Sequence, residues 1–261
     1  MSDLAVNQTP TQTPVVAQIT HQHHHEHQAR VYQHHHHWHG TGPLAEANKD
    51  FFNNNTDIFE TYPHAKERAK RTALSIVDKV KLDKENTSVL EFGCGNGLVC
   101  KELLPYVKTI TGIDISEGTV KLFNNYFQSQ GEAERVKAFA TNLETDQSVI
   151  EGKKFDVIYC ASAFHHFDSP QGITKLLSAF LAPTGSLLII DNWLSPTHPK
   201  DSSGSPAIPE EYKHIVSHAG FTEDDMKKIY EGAGLELVSY DVVPPDEGDS
   251  ELFIAKGVFK M

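Results

Sequence analysis

The chain has 261 residues, 39% hydrophobic and 22% charged, a balance that suits one globular domain of ordinary core size with an appendage. Lys and Arg number 23 against 35 Asp and Glu, and the formal charge of −12 repels phosphate backbones, which argues against nucleic acid as a partner. No apolar run approaches the roughly 18 residues of a membrane span, so no membrane partner is expected.

Residues 1–43 hold ten of the sixteen histidines: His21, His23, His24, His25, His27, His34, His35, His36, His37 and His39. Gln, Thr and Pro dominate the remainder, and such a composition cannot fill a core. The segment is expected to be a disordered tail, with residues 44–261 as the folded domain. Asp3, Glu26 and Arg30 give the tail a charge of −1, which leaves −11 on the body. Dense imidazole binds divalent metal ions such as zinc or nickel in many registers, but without the fixed Cys/His spacing of a structural zinc site. The first twenty residues lack the basic start and apolar stretch of a secretory signal. Cys94, Cys100 and Cys160 form no CxxC pair, and an odd count of thiols fits a reducing compartment, the cytoplasm.

The body alternates helix and strand signals. Ala69, Ala73, Ile76, Val77 and Val80 share one face of a helix over 66–81. Residues 88–92 read as a short buried strand that stops at Gly93. A second strand over 109–115 is followed by Ser116 as N-cap of a helix reaching about Ser129. Strands follow over 136–141 and 155–161. Ile173, Leu176, Leu177, Phe180 and Leu181 then mark an amphipathic helix over 170–181. Pro183-Thr184-Gly185 predicts a turn into a strand over 186–191. After a Pro/Ser-rich insertion, residues 192–209, come a helix near 223–231 and strands over 235–243 and 251–260. This alternation predicts an α/β sheet with helices on both faces, ending in an antiparallel hairpin at one edge.

The most informative stretch is Glu91-Phe92-Gly93-Cys94-Gly95-Asn96-Gly97, at the end of the first strand. Glycines there let backbone approach a ligand and turn into the next helix. A dinucleotide fingerprint fails in both registers, because Leu98 or Cys100 stands where the last glycine belongs, and no Gly-Lys-Ser/Thr supports a P-loop. What remains is E-x-G-x-G-x-G with Asp114 ending the next strand. An acid at that distance can accept hydrogen bonds from both ribose hydroxyls of an adenosine ligand. Glu91 suits a ligand that carries an ammonium group rather than a pyrophosphate.

With these residues the sequence resembles the class I S-adenosylmethionine-dependent methyltransferases over nearly all of residues 50–260. Ala161-Ser162-Ala163-Phe164-His165-His166-Phe167 is similar to the His-His of the quinone-biosynthesis, type 11 subgroup. The resemblance implies a Rossmann-like, seven-stranded, mostly parallel sheet with an antiparallel last strand. It implies S-adenosylmethionine as cofactor and methyl transfer to an O, N or S atom of a small-molecule acceptor. By position, Glu91, Gly93, Cys94, Gly95, Asn96 and Gly97 would hold the methionine part and Asp114 the ribose. Ile115, Asn142 and Leu143 would border adenine, and Cys160 and Ala161 the amino group and sulfonium. Phe59 and Tyr62 stand where the family often has an aromatic lid. His165, His166 and His218 are the candidates for a general base, the alternative being that one of the pair only fixes its loop. His198 and His214 are expected at the surface. Two rival functions stay open: a metal-binding protein acting through its histidine tail, and a catalytically silent cofactor-binding subunit.

Overall fold

The computed structural model describes residues 44–243, 245 and 249–260; the histidine tail and its metal-binding reading lie outside the described residues. Seven strands form one sheet in the order β3-β2-β1-β4-β5-β7-β6. They are β1 (Ser88–Phe92), β2 (Thr109–Asp114), β3 (Val136–Ala140), β4 (Phe155–Ala161), β5 (Leu181–Asn192), β6 (Leu235–Val243) and β7 (Leu252–Phe259). Only β7 runs antiparallel to its neighbours, wedged between β5 and β6. The seven helices among the described residues are α1 (Leu44–Asn54), α2 (Ile58–Thr61), α3 (Ala65–Lys79), α4 (Leu98–Leu103), α5 (Glu117–Ser129), α6 (Pro170–Ser178) and α7 (Glu223–Gly232). None of them is long and apolar enough to cross a membrane.

Strand alternation divides the core in two. Val89, Tyr159 and Leu188 point to one face and pack with Ile76 of α3, Cys100 of α4 and Phe123 of α5. Leu90, Ile158 and Ile189 point to the other and pack with Leu177 of α6 and Tyr230 of α7. Both faces of the central strands are buried, as a parallel sheet covered by crossover helices requires. The helix starts are fixed by side chains: Ser116 Oγ accepts from Thr119 N at 3.2 Å, and Thr222 with Asp225 closes a capping box at α7.

Two boundaries differ from the sequence reading. α6 ends at Ser178, and β5 already begins at Leu181, which pairs with Phe155. The next pairing is Val157 with Ser186, so Pro183-Thr184-Gly185 is an irregularity within the strand rather than a turn before it. Residues 44–54, for which the sequence offered no element, form α1.

The chain leaves β1 through three glycines in the left-handed region, Gly93, Gly95 and Gly97, with φ of 74°, 49° and 80°. A Cβ on Gly97 would lie 2.7 Å from the Phe123 ring and 3.0 Å from that of Phe127. Gly97→Ala therefore combines backbone strain with overpacking and should cost about 2–4 kcal/mol. The expected fall in Tm, measured by calorimetry, is about 5–12 °C for a domain of this size.

Candidate active site

β1 and β4 are neighbours whose outgoing chains lead to opposite sides, and the crevice between them collects the candidate residues. On the β1 side, Gly93 N and Cys94 N both donate to Ile113 O of β2, at 2.8 and 3.1 Å. Gly95 N donates to Asp114 Oδ2 at 2.8 Å, while Asp114 Oδ1 accepts from Ser116 N at 2.9 Å. The glycine loop and the acid after β2 are thus one hydrogen-bonded unit. Thr119 Oγ1 donates to Oδ1 as well, at 3.4 Å, so of the about four acceptor positions of a carboxylate Asp114 retains limited capacity for a ligand hydroxyl. Burial pushes its carboxyl above the ordinary value despite these bonds.

Glu91 lies deeper. It is 3% exposed, and its Oε2 has no hydrogen-bond partner. Burial pushes its carboxyl up to about 8, and the Asp114 carboxylate adds to the rise, while Tyr159, its register partner on β4, offsets part of it. Asn96 Oδ1 is likewise buried without a partner. Unpaired acceptors in a native interior call for an absent donor. An ammonium-bearing ligand supplies one, so the residues present fit the cofactor that the resemblance implies. Cys94, Cys100 and Cys160 are free and buried, and burial holds all three thiols well above the ordinary range.

On the β4 side the chain turns sharply through Ser162, a non-glycine residue at φ 51°. Such strain concentrates at functional sites. The following turn, Phe164–His166, is held by Asp191 near the end of β5. Asp191 Oδ2 accepts from Phe164 N at 2.8 Å and His165 N at 3.2 Å, and Oδ1 lies 2.7 Å from His165 Nδ1. His166 Nδ1 lies 2.7 Å from Ile215 O, and burial pushes its imidazole down to about 3. The centroids of the two rings lie 4.2 Å apart, with the ring planes tilted by 35°. His218 joins them through the backbone: Ser217 N and His218 N both donate to His165 O. Its ring faces Phe221 at 5.1 Å, its Nε2 is buried without a partner, and desolvation lowers its basicity.

The other candidates are placed less uniformly. The Phe59 ring lies over the glycine loop, 2.9 Å from where a Gly95 Cβ would stand, and stacks on Phe52. Tyr62 is at the surface, 45% exposed. Asn142 opens the turn after β3, accepting from Glu144 N, and Leu143 is fully buried. Ile115 lies beside Asp114 and is half-buried. Cys160 faces the α6–α7 side of the sheet, and Ala161 the other. His198 and His214 are half-buried rather than fully exposed: His198 Nε2 is 3.1 Å from Ala207 O, and His214 packs edge-on against Phe51. Asn48, Asn53 and the Ile215 carbonyl were not legible beforehand. A buried asparagine whose partner is 167 positions away leaves no local signal.

The methyltransferase domain family matches residues 59–240. An uncharacterized methyltransferase of Schizosaccharomyces pombe is 32% identical over 158 residues, 58% of this chain and 54% of that protein. A ubiquinone biosynthesis O-methyltransferase of Coxiella burnetii is 28% identical over 99 residues, 38% of this chain and 41% of that protein. The chain thus spans about half the length of the curated relatives it matches. In fold it is similar to the magnesium protoporphyrin IX methyltransferase of Synechocystis PCC 6803, solved with bound S-adenosylmethionine. The TM-score is 0.60 at 16% identity, over 85% of this chain and all of that one.

α1 roofs the crevice and is joined to α5 through Asn53. Its Oδ1 accepts from Ser116 Oγ at 2.8 Å and Gly118 N at 3.0 Å, and its Nδ2 donates to Glu117 Oε2. Lys49 pairs with Glu117 at 2.7 Å. Asn53→Ala removes these bonds, worth about 1–2 kcal/mol, and should speed amide exchange in residues 44–54 by roughly 5–30-fold. Unchanged protection in hydrogen-exchange mass spectrometry would mean that packing alone holds α1.

Proposed function

The chain belongs to the methyltransferase-domain family, of the class I S-adenosylmethionine-dependent kind, and from that premise we propose that it transfers a methyl group to an O, N or S atom of a small molecule. The observation that carries the reading is the pairing of two groups across one crevice. On the β1 side stand a glycine loop bonded to Asp114 and a buried Glu91 whose Oε2 has no partner. On the β4 side stands an imidazole bonded to a buried carboxylate. When bound, S-adenosylmethionine supplies an electrophilic methyl group, so the chain has to position the acceptor, exclude water and remove a proton where the acceptor holds one.

In this reading Glu91 meets the ammonium group and Gly93, Cys94, Gly95, Asn96 and Gly97 supply backbone and amide contacts. Asp114 takes the ribose hydroxyls, while Ile115, Asn142 and Leu143 border the adenine. Cys160 and Ala161 lie toward the sulfonium, and Phe59 covers the loop. His165 serves as the base. His166, kept neutral by burial and bonded to Ile215 O, fixes the turn instead. His218 belongs to the acceptor side. A small acceptor is supported by the roof: α1 and the segment around Ile215 close over the same end of the sheet, joined by Asn48 Nδ2 to Ile215 O at 3.0 Å. Three free thiols support a reducing, cytoplasmic setting.

Calorimetric titration of the full chain with S-adenosylhomocysteine should give one site per chain. Asp114→Ala should weaken it by roughly 5–150-fold, the equivalent of about 1–3 kcal/mol of charged hydrogen bonds. Unchanged affinity would remove Asp114 from the site.

The Glu91 carboxyl adds a pH dependence. In the free protein it is protonated below about pH 8. An ammonium partner favours the carboxylate, so binding should expel a proton, and affinity should rise between about pH 6 and 7.5. Titrations in buffers of different ionisation enthalpy count that proton. Glu91→Gln should abolish the release; release that persists in this variant would place its source elsewhere.

A further inference from the structure

We propose that Arg68, Arg71 and Asp249 form a positioning triad, which fixes the start of α3 to the sheet and so holds the Phe59 ring over the glycine loop. This rests on the reading of that loop as the seat of S-adenosylmethionine. Asp249 stands three residues before β7 and is gripped from α3, 181 and 178 positions away in sequence. Arg68 takes both carboxylate oxygens, Nε donating to Oδ2 at 3.1 Å and Nη2 to Oδ1, while Arg71 Nη2 donates to Oδ2. Arg68 Nη2 also donates to Ser250 Oγ at 2.6 Å. The side chains of Arg68, Arg71 and Asp249 keep only 13%, 10% and 6% of their surface open. Burial alone would raise the Asp249 carboxyl, but its bonds to Arg68 outweigh it and hold the group below the ordinary carboxylate range. A two-pronged guanidinium–carboxylate bond fixes direction as well as distance.

On one side the triad is anchored in the sheet. Two residues beyond Asp249, Glu251 O accepts from Trp193 N at 3.3 Å, and Leu252 and Phe253 pair with Asn192 and Asp191 at the end of β5. On the other side lies the link between α2 and α3, which is only Tyr62, Pro63 and His64. Backbone bonds run through it: Tyr62 N donates to Ile58 O at 2.8 Å, Ala65 N to Tyr62 O at 3.3 Å and Arg68 N to His64 O at 2.8 Å. His64 has a φ of 63°, a left-handed backbone that a non-glycine residue keeps only where its surroundings over-determine it. The triad supplies that constraint, because the residue whose N–H holds His64 O is Arg68 itself. Phe59 lies in α2, at the far end of the same link, and rests 2.9 Å from where a Gly95 Cβ would stand. Lys66 and Glu60 also face each other across the link, but at 3.9 Å and with both side chains largely exposed, a pair that contributes little. Buried ion networks are weak sources of stability, and their best-attested use is to specify one arrangement.

Asp249→Asn in the full chain separates positioning from stability. In hydrogen-exchange mass spectrometry of the free protein, residues 58–64 should exchange roughly 10-fold faster while β1 and β4 stay unchanged. Calorimetry with S-adenosylhomocysteine then compares the wild type, Asp249→Asn, Phe59→Ala and the double variant. Asp249→Asn should weaken binding roughly 10-fold by itself and add nothing to the loss caused by Phe59→Ala, since both act through one ring. Unchanged exchange over 58–64 overturns the proposal, as does exchange that rises equally across the sheet, the result expected of a scaffold alone. Losses that add in full in the double variant also overturn it. Should Asp249→Asn fail to fold, Arg68→Lys keeps the charge but loses the fork, and the same measurements decide. A wild type that binds no S-adenosylhomocysteine would sink the methyltransferase reading, and the exchange result would still decide whether the triad holds Phe59.

Discussion

The site depends on where the strand order reverses. From β1 the sheet grows one way to β2 and β3, and from β4 the other way to β5, so the two chains diverge and leave a crevice at their carboxyl ends. Close packing makes this crevice narrow. A Cβ on Gly93 would come within 2.6 Å of the Ala163 Cβ, so the loop leaving β1 and the turn leaving β4 are already in contact at their bases. The two halves of the candidate chemistry are held together by that contact. Neither α1 nor the segment after β5 is needed to bring them to the same place.

Three carboxylates, Glu91 and Asp191 buried and Asp114 half-buried, line this edge, and their partners separate them. Glu91 has burial and a like charge beside it, and rises to about 8. Asp114 has burial opposed by the N–H groups of Ser116 and Gly95, and is also raised. Asp191 has an imidazole and backbone donors, which carry it below the ordinary range. Burial acts on all three, so the divergence comes from local hydrogen bonds and neighbouring charge. It also distributes tasks. An uncharged Glu91 can wait for a cationic group at little electrostatic cost, whereas an ionised Asp191 is needed at all times to hold its turn.

Most of this framework was legible in the sequence because it rests on short-range signals. Buried strands read as apolar runs, α5 announced its start with Ser116, and the glycine loop was recognisable because left-handed backbone at three alternate positions requires glycine. What escaped is what long-range bonds determine. α1 buries Asn48 along with Ala47 and Phe51, and a polar residue on the inward face weakens the apolar periodicity that would reveal a helix. Pro183-Thr184-Gly185 carries every mark of a turn, and only the pairing of Leu181 with Phe155 makes it part of a strand. Asp191 was visible as the end of a strand, but its bond to His165 spans 26 positions.

The segment around Ile215 shows how the acceptor side can vary while the cofactor side stays fixed. The Ile215 carbonyl accepts from Asn48 Nδ2 of the roof and from His166 Nδ1 of the turn. Two residues on, Ser217 N and His218 N grip the carbonyl of His165. The same stretch therefore anchors the roof and sets the position of both histidines. Sequence changes between β5 and α7 can reshape the wall that an acceptor meets, while the Gly93–Gly97 unit is held by its own bonds to Ile113 O and Asp114. Loops carried on such a scaffold are where specificity is altered at least cost to stability.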